Sequence, residues 1–501
     1  MSARARLLSG VSTGWVSLAT LAVVQIWQVR LAREYLPNDE FAVFGLISSV
    51  IASIMIAEFG IRSAFARLLI DAMGHPESGY RSFWCSTVLV FAAQAFIILI
   101  ASFVCMPFLS QWFAIPEITA AVARKIFIAQ ASLTAFQYAF SHHSVALMAA
   151  QRFAFLNLSS CITSILGALI FWWAIRNGFG LWSYIILSGP GVLLTCVVYP
   201  LLTRKSKLSR RFALADVSAM EVRRIFTLGV DFFVVALYNL ALGNATLLLG
   251  GAFLPLAAVS VLTVNLKFVQ LLTQALQKIP GTADPILSTM IATNDIPRFH
   301  SKWMLVSKIS IGLGALCVGL AYLWAGKAIA MWTSTRDTLT GFELLLVTLM
   351  PLRYIAQMVF VLSPTMFKAA NRMRSAMVVE LVIYVGLGVL LGRSFGLKGI
   401  LLANICSLFA GSLIPGLILM ARLSGCEGWP LVKKGLITLL PGILAASALA
   451  YLLPNPELQT TAARLVWTIG WTFGIAIFYW FINFDAEERQ AITQTLARRT
   501  A

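Results

Sequence analysis

Hydrophobic runs of around 20 residues recur from one end of the chain to the other, separated by short polar connections. About 20 apolar residues wound as a helix cover the ~30 Å hydrocarbon core of a bilayer, so each run reads as a membrane-crossing helix. The runs are continuously apolar rather than alternating, which argues against a β-barrel. The pattern predicts spans over Leu7–Val29, Phe41–Ala64, Phe83–Met106, Ile126–Met148, Phe155–Ile175 and Trp182–Leu202. A polar segment follows, and then spans over Phe226–Gly250, Leu256–Ile279, Met304–Trp324, Leu344–Met366, Met377–Leu391, Ile400–Met420, Leu436–Leu453 and Leu465–Phe484. The expected fold is all-α and integral to the membrane, with about 14 transmembrane helices.

The polar segment, residues 204–224, reads RKSKLSRRFALADVSAMEVRR and carries seven basic residues. Each Lys or Arg at the centre of a span costs roughly 2.5–3.5 kcal/mol on insertion scales, so this segment must lie in water. It divides the chain into an N-terminal six-helix lobe (residues 1–203) and a C-terminal six-helix lobe (225–421), with a terminal helix pair and tail over 422–501. Placing the amino terminus inside gives the cytoplasmic connections more than twice as many Lys and Arg as the external ones. An even number of spans then puts both termini in the cytoplasm. The run after Arg4 and Arg6 is too long for a signal peptide and ends at Arg30 without a small-residue cleavage site, so it is the first span.

Composition agrees: 59% of residues are hydrophobic and only 12% are charged. The formal charge of +18 sits at membrane junctions instead of on a folded polar domain, so it signals topology and not nucleic-acid binding. The seven cysteines form no CxxC pair, and all but Cys426 fall inside apolar runs, which excludes a disulfide or metal framework. No nucleotide-binding loop, metal motif or nucleophile constellation is present, and no external connection is long enough for a catalytic domain. The chain therefore reads as no enzyme, with a membrane polymerase or glycosyltransferase as the disfavoured competitor and no cofactor implied.

The halves repeat. Leu36-Pro37 matches Leu254-Pro255, Trp112 matches Trp332, Ala149-Ala150-Gln151-Arg152 matches Ala369-Ala370-Asn371-Arg372, and Phe179-Gly180-Leu181 matches Phe395-Gly396-Leu397. All four keep one order and an offset of about 216–220 residues, the mark of a duplicated unit. Units with an even number of helices enter the bilayer in the same orientation, which predicts a pseudo-two-fold axis along the membrane normal, as in transporters built from parallel repeats.

Residues 31–45 (LAREYLPNDEFAVFG) with 58–62 (EFGIR) resemble the first two spans of Wzx-type flippases. These form the polysaccharide-transporter branch of the multidrug/oligosaccharidyl-lipid/polysaccharide exporter superfamily. The junctions at Arg152 and Arg372 and the segment from Gly229 through Pro285 to Asp295 are similar to the same family. The resemblance implies a bacterial inner-membrane flippase moving undecaprenyl-pyrophosphate-linked oligosaccharide repeat units to the periplasmic leaflet for O-antigen, capsule or exopolysaccharide. It also implies membrane lipids, a polysaccharide polymerase and chain-length proteins as partners; with no ATP-binding signature, energy is expected from an H+ or Na+ gradient, the membrane potential or downstream consumption of product. A lipid II flippase and a multidrug exporter of the same superfamily are the competing readings.

An anionic, hydroxyl-rich headgroup needs a polar, cationic cavity at membrane depth. The candidate cations are Lys267 and Arg353, with Arg62 or Arg67 from the first lobe. Lys267, Gln270, Gln274 and Gln277 share one face of span eight, and Gln130, Thr134, Gln137, Ser141 and Ser144 form a comparable stripe on span four. Tight packing through hydrogen bonds competes with cavity lining at both stripes. The adjacent His142 and His143 point about 100° apart and do not read as a metal site. Asp231, Glu58 and Glu380 are the candidate ion-coupling acids, with a local pair to Arg62 as the plainer role for Glu58.

Overall fold

The computed structural model describes residues 3–55, 61–62, 65, 68–69, 77–113, 115, 117–150, 152–333, 339–367, 370–490 and 493. Among the described residues the regular structure is entirely helical, and eleven helices are long and apolar enough to cross a membrane. Among the described residues, each predicted span lies mainly on a helix. These helices are α1 (Ala3–Tyr35), α2 (Asn38–Ile54), α3 (Glu77–Cys105), α4 (Glu117–Ala149), α5 (Phe153–Arg176), the broken α6 (Gly180–Lys205) and α7 (Ala219–Phe253). Then come α8 (Leu256–Ala292), α9 (Ile296–Thr333), α10 (Gly341–Val361), α11 (Ala370–Phe395), α12 (Leu397–Leu423), α13 (Gly428–Leu452) and α14 (Thr461–Asn483).

Helix ends reach past the apolar runs because a helix continues into the interface for as long as its side chains tolerate water. Thus α4 begins at Glu117, not Ile126. The polar side chains of α4 also keep its mean hydropathy below the level of its neighbours, so it does not count among the eleven.

The chain forms two compact units, one of residues Met1–Ser260 with Trp332–Ser334 and one of Val261–Met331 with Thr335–Ala501. The boundary lies inside α8 and not at the basic segment, because α7 packs on α2 and α3.

Within each unit the contacts alternate in direction as successive crossings require. In the first unit Asn157 of α5 donates to Thr13 of α1 (3.1 Å), and Arg176 donates to Tyr35 (3.1 Å), so α1 and α5 run parallel. Tyr138 of α4 donates to Gln94 of α3 (2.8 Å) while Trp84 packs on His142, so α3 and α4 are antiparallel. In the second unit Trp324 Nε1 donates to Thr468 (2.8 Å), Trp471 Nε1 to the Leu316 carbonyl (3.0 Å) and Lys308 to Glu488 (2.7 Å), an antiparallel α9–α14 pair.

Two of the repeat anchors have a backbone reason. Gly180 and Gly396 have φ of 53° and 57°, a left-handed conformation that a side chain would strain. The carbonyls of Pro37 and Pro255 each accept the first-turn bond of the following helix, from Phe41 and Val259, both at 3.1 Å. Proline fits there because it has no N–H to lose at a helix start.

Close approach of α12 to α11 depends on Gly411, where an added Cβ would lie 2.5 Å from Glu380 Cα. Small residues give transmembrane helices their van der Waals contact when no hydrophobic force drives them together. Gly411→Ala should therefore destabilise the second unit by about 1–3 kcal/mol, the usual cost of overpacking, seen as a lower thermal midpoint in detergent. An unchanged midpoint would contradict the packing described.

Candidate functional site

The polar stripe of α4 opens on a cavity of about 570 Å3 within the first unit. Thr134, Gln137, Ser141 and Ser144 form its α4 wall, Thr195 and Tyr199 of α6 stand with them, and Arg62 supplies a cation. Met55, Met148 and Leu156 complete an apolar part of the lining. The spacing of three, four and three puts the α4 residues on one face. The flanking face holds the helix in place: Tyr138 bonds Gln94 and stacks on Phe91 with centroids 5.3 Å apart, and His143 Nδ1 meets Thr203 Oγ1 at 2.7 Å.

On the α6 side the helix is not continuous. Gly189, Pro190, Gly191 and Pro200 interrupt it, and residues Leu194–Val198 form a π-helical turn that presents Thr195 to the cavity. Prolines and π turns are the usual causes of such breaks. Both Thr195 and Tyr199 escaped the sequence reading. The only local signal for them was this cluster of helix breakers in span six.

The hydrogen bonds set what the wall can do. Thr134 donates to the Gln130 carbonyl (2.8 Å), Ser141 to that of Tyr138 (2.8 Å) and Ser144 to that of Ser141 (2.7 Å). With their protons bound to backbone, these hydroxyls offer lone pairs to the cavity and suit a ligand that donates. Arg62 Nη2 sits 3.4 Å from Ser144 Oγ and is solvent-exposed, so its guanidinium keeps donors for an anion. The site thus pairs one anion-binding group with a surface of acceptors for hydroxyl donors. Gln130, half-buried one turn before Thr134, is not part of the lining.

Arg353 requires a correction. The sequence placed it in a cationic cavity, but it is 3% exposed and joined to Glu380, which is fully buried. Its Nη2 pairs with a Glu380 carboxylate oxygen, its Nη1 donates to Gln357, and its Nε donates to the Asn404 carbonyl at 3.3 Å. Ser412 donates to the other Glu380 oxygen. A phosphate would have to displace a carboxylate already bound in place, so Arg353 is no open phosphate ligand. Glu380 is likewise committed to this network. Its partners come from α10 and α12, 27 and 32 residues away, beyond any local spacing rule.

Lys267 and the glutamines of α8 do share a helix face. Lys267 Nζ lies 3.4 Å from Gln270 Oε1, Gln270 is exposed, and Lys267, Gln274 and Gln277 are half-buried. Among the described residues Lys267 has no ion-pair partner. Arg67 and Glu58 lie outside the described residues, as does the side chain of Asp231.

The sequence matches no protein-family model and no curated protein. The helices are those of a multi-span membrane protein, and their fold is shared by solved transporter structures. Particular solved structures share it: lipid II flippase MurJ in an inward closed conformation is similar over 93% of this chain and 98% of its own, with a TM-score of 0.69 at 13% identity. An inward-facing multidrug resistance MATE transporter matches over 88% and 98% with a TM-score of 0.58 at 14% identity. A mutant of the Vibrio cholerae MATE transporter VcmN matches over 86% and 98%, with a TM-score of 0.56 at 12% identity.

Removing one partner of a buried ion pair leaves the other charge uncompensated, which costs about 3–5 kcal/mol, whereas replacing both by apolar groups is often nearly neutral. Arg353→Met should lower the thermal midpoint of the purified protein sharply, and adding Glu380→Leu should restore most of the loss. An Arg353→Met protein as stable as the wild type would contradict the pair.

Proposed function

We propose that this chain is a transporter of the flippase type, carrying an undecaprenyl-pyrophosphate-linked oligosaccharide repeat unit from the cytoplasmic to the periplasmic leaflet by alternating access. The observation that carries this reading is the α4 cavity, with the Arg62 guanidinium beside a wall of hydroxyl acceptors. The guanidinium suits a phosphate oxygen, and the serine and threonine oxygens suit sugar hydroxyls. In the topology expected from charge, the cavity lies toward the cytoplasmic end of the first lobe, where a lipid-linked precursor would load. The same reading makes the protein an inner-membrane component of O-antigen, capsule or exopolysaccharide assembly, with both termini cytoplasmic.

Lys267 of the second unit is proposed as a further transport residue, with Gln270, Gln274 and Gln277 on the same helix face. Coupling to an H+ or Na+ gradient through Asp231 or Glu58 belongs to the same proposal.

The similarity to lipid II flippase MurJ favours one second reading, that the cargo is itself lipid II. Rescue of cells depleted of lipid II flipping would support it over the oligosaccharide. A multidrug exporter for organic cations is disfavoured, because the described cavity lining contains an arginine and no carboxylate.

A hydrogen bond to a charged group is worth about 1.5–3 kcal/mol, and each 1.4 kcal/mol is tenfold. Arg62→Ala should cut translocation by roughly 10- to 100-fold at matched protein levels, with lipid-linked repeat units accumulating on the cytoplasmic leaflet. Arg62→Lys should retain more activity than Arg62→Ala, and Lys267→Gln should lower export further in combination. Normal polymer export by Arg62→Ala would defeat the assignment.

A further inference from the structure

The segment between α6 and α7 is polar enough to stay in water, yet it is neither loose nor uniformly polar. It is fastened to the start of α3. Tyr80 donates to the Leu208 carbonyl, Arg210 lies 4.9 Å over the Tyr80 ring, Arg81 pairs with Asp216 at 2.7 Å, and the Ser218 amide donates to Ser86 at 2.9 Å. Its own turn is closed by the Leu208 amide on the Thr203 carbonyl at 2.9 Å.

Held this way, the segment turns large apolar side chains outward: Leu214 is 71% exposed, Met220 72% and Phe212 48%. Around them stand exposed cations, Arg204, Lys205, Lys207, Arg211 and Arg223, none of which has an ion-pair partner among the described residues. The acids of the segment are already engaged, Asp216 by Arg81 and Glu221 by Arg224 at 3.8 Å.

We propose that this segment is an anionic-phospholipid binding surface that lays Phe212, Leu214 and Met220 into the headgroup layer while its cations bind lipid phosphates. Exposed apolar groups interleaved with uncompensated cations are what an interfacial anchor presents. The bilayer is the occupant that position selects. The segment leaves α6 at Lys205, returns at α7 and is pinned to the start of α3, so its cations stand where spans meet water. Neither the cavity nor the transport reading enters this inference.

The test uses the full-length protein carrying Leu214→Cys, reconstituted in bilayer discs of phosphatidylcholine alone or with phosphatidylglycerol. The readout is the labelling rate by a water-soluble maleimide above the wild-type background. Docking predicts labelling slowed about fivefold or more in the anionic discs, and recovery of the rate near 1 M salt, where the screening length falls to about 3 Å. A variant with Arg204, Lys205, Lys207, Arg211 and Arg223 all changed to Gln should label equally fast in both discs. Equal rates for Leu214→Cys alone in the two discs would overturn the proposal and leave the patch to a soluble acidic partner. Because that comparison changes only the lipid, it holds even if the quintuple variant fails to insert.

Discussion

A charge inside hydrocarbon must be met, either by an opposite charge of the same protein or by water and ligand in a cavity. Both solutions occur among the described residues of this chain. Arg353 takes the first: Glu380, Gln357 and the Asn404 carbonyl absorb its donors, and the network ties α10 to α11 and α12. Arg62 takes the second, exposed in a chamber with a serine oxygen 3.4 Å away. A closed network of this kind holds helices together, while an open guanidinium leaves capacity for an anion.

Helix positions were legible in the sequence because the penalty for unpaired backbone in lipid forces each apolar run to be helical. The repeat was legible for a local reason too, since Gly180 and Gly396 answer the same left-handed turn. Along α4 the three-four-three spacing fixes a face whatever surrounds it, and Thr134, Gln137, Ser141 and Ser144 meet the cavity from that face. What failed was the assignment of Arg353. Whether an arginine in a span is spent or free depends on which helix packs beside it, and Glu380 and Ser412 reach it only through tertiary contact. The α6 contribution was hidden similarly, because Thr195 and Tyr199 acquire their orientation from a π turn that no periodicity announces.

The fold is shared with lipid II flippase MurJ and with MATE transporters at 12–14% identity, which fixes architecture and leaves cargo to the chemistry of the cavity. That chemistry is one exposed cation against acceptor oxygens, with apolar side chains at the edge. In the proposed reading, a phosphate-bearing, hydroxyl-rich headgroup meets each of these surfaces with its complement.

The most direct measurement is retention of a polyprenyl pyrophosphate against the uncharged polyprenol of equal length, read by native mass spectrometry of the purified protein. The wild type should hold the pyrophosphate preferentially, and Arg62→Ala should lose that preference while keeping its thermal midpoint. Equal retention of both lipids by the wild type, or a preference untouched by Arg62→Ala, would contradict a cavity built around that guanidinium.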